Sequence, residues 1–341
     1  MKNNVAQPLN YSAHAIEDLR DLEASLRSTA PQSARVFRRL IEMLQHSVKF
    51  ILPNCCDLIA PEDLRQAHLD LTRLPFPCVT FEAPWEKDGE VEQLGDFQLS
   101  RSTKRIALCW EASPEYELLP GLNNILKAFP EGGVFVLPIY WGPEHRQWTV
   151  ALGGSFLPYE NTLQEVDLEQ TLPASRIAHK ATIEAGLSNS KAKHFRAEPF
   201  YLFPEFYEQA LSNYGGDIEK VYAQIILDSR DEVQAVVQAC SVINCSNVTT
   251  EEISAPAALN KKRMKKGQQP FFTYKILQLT DEQHETHKRG AGGTHASPRM
   301  HLRRGHLRRL KSKVVWVRPV MVNTGSNNGV VQKDYAVQTK G

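Results

Sequence analysis

Residues 133–141, GVFVLPIYW, decide the fold class, because they form a run of β-branched and aromatic residues that follows Glu131-Gly132-Gly133. Such a run beside turn residues is typical of a buried β-strand. Similar runs occur at 78–83, 105–111 and 147–153, with Asp88-Gly89 and Gly153-Gly154 as further turn signals. No glycine-rich phosphate loop follows any of these runs. We therefore predict a mainly antiparallel sheet in the middle of the chain.

Helical periodicity flanks this sheet on both sides. In residues 15–52 the apolar positions recur at steps of three and four, with a break at Ala30-Pro31, which predicts two amphipathic helices. Asp217 opens a second periodic segment, in which Val221, Ile225 and Val233 share one helical face. This segment predicts a long helix that is either continuous or interrupted near residues 228–229.

Aromatic residues are concentrated just before the long helix. Core packing is the interpretation we favour for them, and a base-stacking platform beside a basic groove is the alternative. The residues are Phe195, Phe200, Tyr201, Phe203, Phe206 and Tyr207.

The C-terminal region returns to β-type sequence, with predicted strands at 271–279, 314–322 and 330–337. The predicted fold is therefore α+β: a mixed helical and antiparallel-sheet body at 1–244 and a smaller, basic, β-rich C-terminal domain at 245–341. With 341 residues, two domains are the ordinary expectation.

Composition excludes several classes of protein. No run of eighteen apolar residues is present, and the N-terminal residues lack the apolar stretch of a secretory signal, so we expect no membrane partner and a cytoplasmic location. The six cysteines have no CxxC spacing, which disfavours a cysteine zinc site. No cofactor is predicted.

The net charge of +1 conceals a division within the chain. Residues 251–341 contain 18 Lys and Arg against 6 Asp and Glu, a net of +12, and the first 250 residues carry a net of −11. Such a division indicates a surface for a polyanion. The alternative is that the basic part folds against the acidic part as its internal electrostatic partner.

The first basic cluster is KKRMKK at residues 261–266, directly before a predicted strand. A block this dense repels itself unless anions are near, and phosphates would neutralise it without reading sequence. A solvated loop is the alternative. The predicted nucleic-acid contacts, here and in the second cluster, are Lys261, Lys262, Arg263, Lys265, Lys266, Arg299, Arg303, Arg308 and Arg309.

The second cluster, residues 298–309, reads PRMHLRRGHLRR. Arginine binds phosphate bidentately and histidine titrates near neutral pH, so His301, Arg304 and His306 are candidate catalytic residues of a metal-independent nuclease. A non-catalytic phosphate contact would contain the same residues. His284 and His287 have a spacing that a metal could use, but HExxH and a third ligand are missing, and no metal site is predicted.

Residues 255–337 resemble a C-terminal module that recurs in uncharacterised proteins of tailed phages and prophages. The resemblance is carried by LNKKR at 259–263, by HASPRMHLRRGHLRR at 295–309 with its His-x-Arg-Arg-Gly-His pattern, and by VWV at 315–317. It implies a mobile-element setting, hence the host cytoplasm, and it implies no mechanism.

Three functions remain open at this stage. The first is a phage-type nucleic-acid-binding protein that uses the basic C-terminal surface, with DNA and RNA both possible. The second is the metal-independent nuclease. The third is a phage inhibitor of a host defence complex that acts by protein–protein interaction, with a host protein as its partner.

Overall fold

The computed structural model describes residues 8–60, 63–87, 93–99, 101–165, 171–189 and 192–279, together with five strand segments between 300 and 331. Its α-helices are α1 (Tyr11–Leu26), α2 (Pro31–His46), α3 (Gln66–Asp70), α4 (Pro173–Glu184), α5 (Pro204–Asn213), α6 (Ile218–Ile243) and α7 (Ala257–Lys265). Within these ranges, no helix combines the length and the apolar character that a membrane span requires.

The two predicted N-terminal helices are confirmed as α1 and α2. Pro31 is the first residue of α2, where its fixed φ suits the helix and its missing N–H is not needed. The second helix was predicted to continue to Leu52, but it ends at His46 because Ser47 is extended, with ψ at 150°. The β-branched residues that follow form a strand instead.

A nine-stranded sheet forms the centre of the molecule, and its strand order is β11-β8-β6-β5-β2-β1-β13-β12, with β7 paired to β6. All its pairings are antiparallel except those of β1 with β2 and with β13. The predicted α+β class and the mainly antiparallel sheet are therefore confirmed. The strands up to residue 279 are β1 (Val48–Ile51), β2 (Cys78–Pro84), β3 (Gln93–Leu94), β4 (Phe97–Gln98), β5 (Lys104–Glu111), β6 (Gly133–Gly142), β7 (Gln147–Val150), β8 (Gly153–Pro158), β9 (Gln164–Glu165), β10 (Lys193–His194), β11 (Glu198–Tyr201), β12 (Val248–Ser254) and β13 (Thr273–Leu279).

The sheet is covered on both faces, because side chains alternate along its central strands. On β5, Ile106, Leu108 and Trp110 pack in the same apolar cluster as α1 and α2. Ala107 and Cys109, from the same strand, pack in a second cluster with α6. The result is three layers, with helices α1 and α2 on one side and α6 on the other.

The predicted long helix is confirmed as α6, which is continuous through residues 228–229. The Asp217 carboxylate caps its first turn by accepting a hydrogen bond from the Lys220 N–H at 3.2 Å. Ser229, near the middle of the helix, is joined to Ser155 of β8 by a 2.7 Å hydrogen bond between their hydroxyls. This hydrogen bond fixes the helix to the sheet near residues 228–229, where the sequence alone did not decide between a continuous and an interrupted helix.

Gly153 and Gly154 do not form the turn that the sequence predicted, since they are the first residues of β8. A Cβ atom on Gly153 would lie 1.8 Å from the Phe200 carbonyl oxygen of β11, and one on Gly154 would lie 2.1 Å from the Val136 carbonyl oxygen of β6. Both glycines are required because β8 lies between two closely approaching strands.

Strands on both sides of residue 244 belong to the large sheet, because β12 and β13 follow that residue and β13 pairs with β1. Outside the large sheet, β3 pairs with β4 and β9 pairs with β10. The described strands after residue 279 are short, and they form the sheets β17-β14-β18 and β15-β16. The prediction at 314–322 corresponds to two of them, and only the first two residues of the predicted strand at 330–337 are described. Their bounds are β14 (Met300–Arg303), β15 (His306–Arg309), β16 (Val314–Val317), β17 (Val320–Val322) and β18 (Val330–Val331).

Candidate functional site on the lysine-rich helix

The first basic cluster is a helix, α7, and not the solvated loop that the sequence left open. The helix follows Pro256 and ends at Gly267, whose φ of +70° is the left-handed conformation of a helix terminator. The Gly267 N–H donates to the Met264 carbonyl and the Gln268 N–H donates to the Arg263 carbonyl, both at 3.0 Å. These two bonds close the last turn and fix where the helix stops.

Arg263 holds α7 against the body of the protein and is only 9% exposed. Its Nη2 donates to Glu17 Oε1 of α1 at 2.7 Å, and its Nε donates to the Gln269 carbonyl at 2.7 Å. The guanidinium carbon lies 4.0 Å from the centroid of the Phe271 ring. Arg263 was predicted to be a nucleic-acid contact, but in the folded chain its guanidinium is occupied by these neighbours.

Further hydrogen bonds attach the residues around α7. The Gln269 N–H donates to Glu17 Oε1 at 3.0 Å, and Arg20 Nη2 donates to Gln269 Oε1 at 2.9 Å. Asn260 and Phe271 exchange two hydrogen bonds, of 2.9 and 2.8 Å, between the Asn260 amide group and the Phe271 backbone. The helix is therefore held by polar contacts on its inner side, at both its middle and its end.

The other four cations of the cluster point away from the body, and we call them the lysine face: Lys261, Lys262, Lys265 and Lys266. All four are exposed. At 3.6 residues per turn they span about 140° of the helix circumference, on the side opposite Asn260 and Arg263. Among the described residues, none of the four has an ion-pair partner.

The lysine face is electrostatically unfavourable in isolation. Lys261 and Lys265 are four residues apart, as are Lys262 and Lys266, and like charges at that spacing repel across one helical turn. Their position near the helix C-terminus offsets only part of this repulsion through the helix dipole. A bound polyanion would remove it, and phosphates neutralised by lysines release condensed counterions. The lysine face therefore has the charge and the spacing that a polyanion would complement.

The residues of the second basic cluster are only partly described. His301 and Arg303 lie in β14, opposite Val322 and Val320 of β17. His306, Arg308 and Arg309 lie in β15, which pairs with β16. Arg299, Arg304, His284 and His287 lie outside the described residues. The nuclease site formed by His301, Arg304 and His306 thus stays a prediction, as do the phosphate contacts of this cluster.

The crowded aromatics before α6 divide into two groups that the sequence did not separate. Phe200 and Phe203 are buried, as predicted, and Phe203 stacks on Phe37 of α2 with 4.8 Å between ring centroids. Tyr201, in contrast, is 40% exposed and stacks on Tyr207 at 4.4 Å. The alternation along β11 was the available signal, because Phe200 and Tyr201 point to opposite faces of a strand.

Two acidic side chains on α6 are kept from solvent beside Arg105. Glu232 is 2% exposed, with its Oε1 3.3 Å from Arg105 Nη1, and its other oxygen has no hydrogen-bond partner within the described structure. Burial raises the pKa of Glu232 to about 7, against the opposing effect of Arg105. Burial likewise raises the pKa of Asp228 to about 7, although Gln224 donates a hydrogen bond to its carboxylate.

Metal coordination has no support in the described ranges, where no group of three or more His, Cys, Asp and Glu residues is arranged to hold an ion. Together the fold and the site define an α+β protein that presents a charged helical surface to solvent. The family model of the AcrVA2-like proteins, the anti-CRISPR type V subtype A2 family, matches residues 53–324. The chain belongs to this family and is a phage-type inhibitor of a host defence. Comparison with curated proteins and with solved structures gives no match.

Proposed function

We propose that this protein inhibits a type V CRISPR–Cas system in the cytoplasm of its host by binding a protein component of that system. The observation that carries this proposal is the extent of the family match, which runs from residue 53 to residue 324. It includes α5, α6 and α7 as well as most of the large sheet, so the lysine face lies within it. The match supports the third function considered from the sequence, an inhibitor of a host defence complex that acts by protein–protein interaction.

The experiment is a phage-plating assay in bacteria that carry a subtype V-A CRISPR–Cas system targeted to the phage. Expression of this protein is expected to restore plaque formation to the level of cells without the targeting spacer. A matched strain in which a type II system targets the same phage sequence is the control, and it should remain immune. Unchanged immunity in the type V strain, at confirmed expression, would contradict the proposed function.

A second candidate function, nucleic-acid binding, is favoured by the lysine face. Four exposed ammonium groups on one helical side, which have no ion-pair partner in the described part of the chain, are suited to a phosphate backbone. Such contacts carry no information about base sequence. Both DNA and RNA offer that backbone. Such a contact is compatible with the first proposal, since CRISPR effectors are complexes of protein and RNA.

The test of this second function is fluorescence anisotropy with labelled 20-nucleotide RNA and with duplex DNA of the same length. The logarithm of the binding constant is expected to fall linearly with the logarithm of the salt concentration, with a slope of roughly −3 if all four lysines contact phosphates. Binding that does not change between 50 and 300 mM salt would exclude a phosphate contact.

A further inference from the structure

A second cluster lies at the edge of the sheet formed by β11, far along the strand order from α7, with two exposed and two half-buried members. It consists of Tyr201, Tyr207, Ile218 and Tyr222, which we call the tyrosine face. The rings of Tyr201 and Tyr207 stack with an interplanar angle of 25°, and the centroids of Tyr207 and Tyr222 are 6.4 Å apart. Ile218 is 49% exposed and precedes Tyr222 by four residues, on the same side of α6.

The tyrosine face is held in place by the core beneath it. Tyr201 is the last residue of β11, which lies against Gly153 and Gly154 of β8 at a distance that allows no side chain between the backbones. Tyr207 is carried by α5, and Ile218 with Tyr222 by the first turns of α6. Because β11 and α6 are packed in the body and α5 lies against α2 and α6, a partner would meet the rings already ordered, with little conformational entropy left to lose.

The charge around these rings is negative. Burial raises the pKa of Tyr207, and Glu208 and Glu219 raise it further. Glu219 also contributes to the raised pKa of Tyr222, after burial and the neighbouring tyrosines. The nearby cation Lys220 is engaged by Asp96, with 2.8 Å between Nζ and Oδ2.

We propose that the tyrosine face is the docking surface for an arginine-rich surface of a protein. This inference rests on the proposed function, in which the chain acts by binding a protein of the type V system. Guanidinium groups stack on tyrosine rings and pair bidentately with carboxylates. An arginine-rich surface would therefore contact both the stacked rings and the carboxylates of the tyrosine face. Tyrosine is also enriched among the residues that dominate binding energy at interfaces.

Charge excludes the main alternatives. Phosphates would be repelled by Glu208 and Glu219, so a nucleic acid is not the occupant. A symmetric contact with a second copy of this chain would bring the same carboxylates against each other. Proteins that hold a guide RNA and its target, in contrast, present a positively charged channel, which is the complementary partner.

The test is biolayer interferometry of this chain against an immobilised, purified subtype V-A effector protein without guide RNA. The double variant Tyr201→Ala with Glu208→Lys is expected to bind at least about 30-fold more weakly than wild type, as expected for loss of a dominant interface residue. The matched control is Phe76→Ala with Glu144→Lys, which changes an aromatic residue of 39% exposure and an exposed carboxylate elsewhere. The control should bind within twofold of wild type, and thermal melts should show both variants folded.

The outcomes are separable. If wild type binds the effector and the Tyr201→Ala, Glu208→Lys variant binds it with the same affinity, the tyrosine face is not the docking surface. The proposed function would then remain intact. If wild type does not bind the effector and immunity is unchanged in the plating assay, both the docking surface and the proposed function are contradicted. Competition with deca-arginine and deca-glutamate peptides decides the chemistry, since the inference requires the arginine peptide to displace the effector. Dimerisation of wild type that Tyr201→Ala abolishes, seen by sedimentation, would make a second copy the occupant and contradict the inference.

Discussion

The lysine face and the tyrosine face have opposite charge, and they are held to the protein in opposite ways. β11 and β12 are the two ends of the eight-strand path, seven strand spacings or about 34 Å apart. The tyrosine face rests on β11, α5 and α6, which pack on the apolar core. The lysine face lies on α7, between β12 and β13, and α7 is docked mainly through the polar contacts of one buried arginine.

The contacts of the basic residues show which of the positive charges after residue 250 are paired within the protein. Part of the basic segment is paired internally, because Arg263 binds Glu17 and Lys275 binds Glu252 at 2.7 Å each. The four residues of the lysine face are not paired in this way within the described structure. The internal-partner alternative therefore accounts for Arg263, which binds a carboxylate of the acidic part, whereas Lys275 binds Glu252 within the basic part itself. The lysine face is the portion of the cluster to which the polyanion interpretation still applies.

The largest expected effect comes from reversing the lysine face. Replacing Lys261, Lys262, Lys265 and Lys266 by glutamate is expected to lower RNA affinity at 50 mM salt by 100-fold or more and to remove roughly three units from the salt slope, because four phosphate contacts are lost. Fluorescence anisotropy over a salt series measures both. We expect the four lysine substitutions to leave the affinity of the tyrosine face for the effector protein unchanged.

A control with the same change in net charge separates the face from the total charge. It replaces four exposed lysines of the body, Lys87, Lys127, Lys180 and Lys193, by glutamate. This variant should keep most of the affinity and most of the slope. An equal loss in both variants would mean that net charge, and no particular surface, attracts the nucleic acid.

The second prediction tests whether α7 depends on one anchor. Arg263→Met is expected to cost about 3 kcal/mol, because it leaves Glu17 and the Gln269 carbonyl without their partner in a partly buried place. The local character of the loss should appear in hydrogen exchange, with α7 amides exchanging much faster while α6 amides keep their protection. Chemical denaturation gives the free energy of unfolding.

Two companion variants complete this test. Lys262→Met, at an exposed neighbouring position, should change the free energy of unfolding by less than about 0.5 kcal/mol. In the double variant with Glu17→Gln the loss should be smaller than the sum of the single losses, since the unpaired carboxylate is gone. Additive losses would show that Arg263 and Glu17 do not act as a pair.

The third prediction concerns the buried carboxylate of Glu232, on α6, beside Arg105. Because the pKa of Glu232 is raised to about 7 in the folded chain, the folded state holds a proton that the unfolded state releases near its ordinary value of 4.5. Stability is therefore expected to decrease as the pH rises from about 4.5 to 7. Glu232→Gln, which imitates the protonated form, should be about 1–3 kcal/mol more stable than wild type at pH 8 and should flatten this dependence.

Thermal melts between pH 4.5 and 8 measure this effect, and Gln234→Glu, at an exposed position of the same helix, is the control. This control variant should show the same dependence of melting temperature on pH as wild type. If Glu232→Gln lowers the melting temperature at pH 8, the ionised carboxylate stabilises the fold through Arg105, and the expected sign is reversed.

Sequence predicted those parts of the fold whose stability comes from local apolar periodicity. The helices α1, α2 and α6 and the central antiparallel strands each bury a periodic face, and their patterns are visible without knowledge of their partners. The parallel pairing of β1 with β13 was not predicted, because it joins residues such as Lys49 and Tyr274 that are distant in sequence.

The candidate sites were harder to predict for the same reason. Composition identified the cluster at 261–266, but the contact that fixes α7 on the body is made by Glu17, which lies 246 residues before Arg263. Like-charge neighbours disfavour a helix when the local sequence is considered alone. Tyr201 was placed with the core aromatics, although alternation along β11 and Pro199 within the strand were signals of an edge strand with an outward-facing tyrosine.

The smallest expected effect concerns Glu205, which joins the base of the tyrosine face to α2. Its carboxylate accepts hydrogen bonds from the N–H groups of Gln32 and Ser33, at 2.9 and 3.0 Å, in the first turn of α2. Burial raises the pKa of Glu205, but the hydrogen bonds from Ser33 and Gln32 outweigh burial and hold the pKa below its ordinary value of 4.5. This stabilisation is present above that value and is lost as the pH falls below it, opposite in sign to Glu232.

Glu205→Gln should therefore cost about 1 kcal/mol at pH 7, the usual contribution of a helix cap, and the cost should shrink as wild-type Glu205 is protonated in acid. Glu208→Gln, on the exposed side of α5, is the matched control and should have no measurable effect on stability. A cost that is the same at pH 7 and pH 3.5 would show that the carboxylate charge does not contribute. In that case the hydrogen bonds to Glu205, and not its negative charge, join α5 to α2 beside the stacking of Phe203 on Phe37.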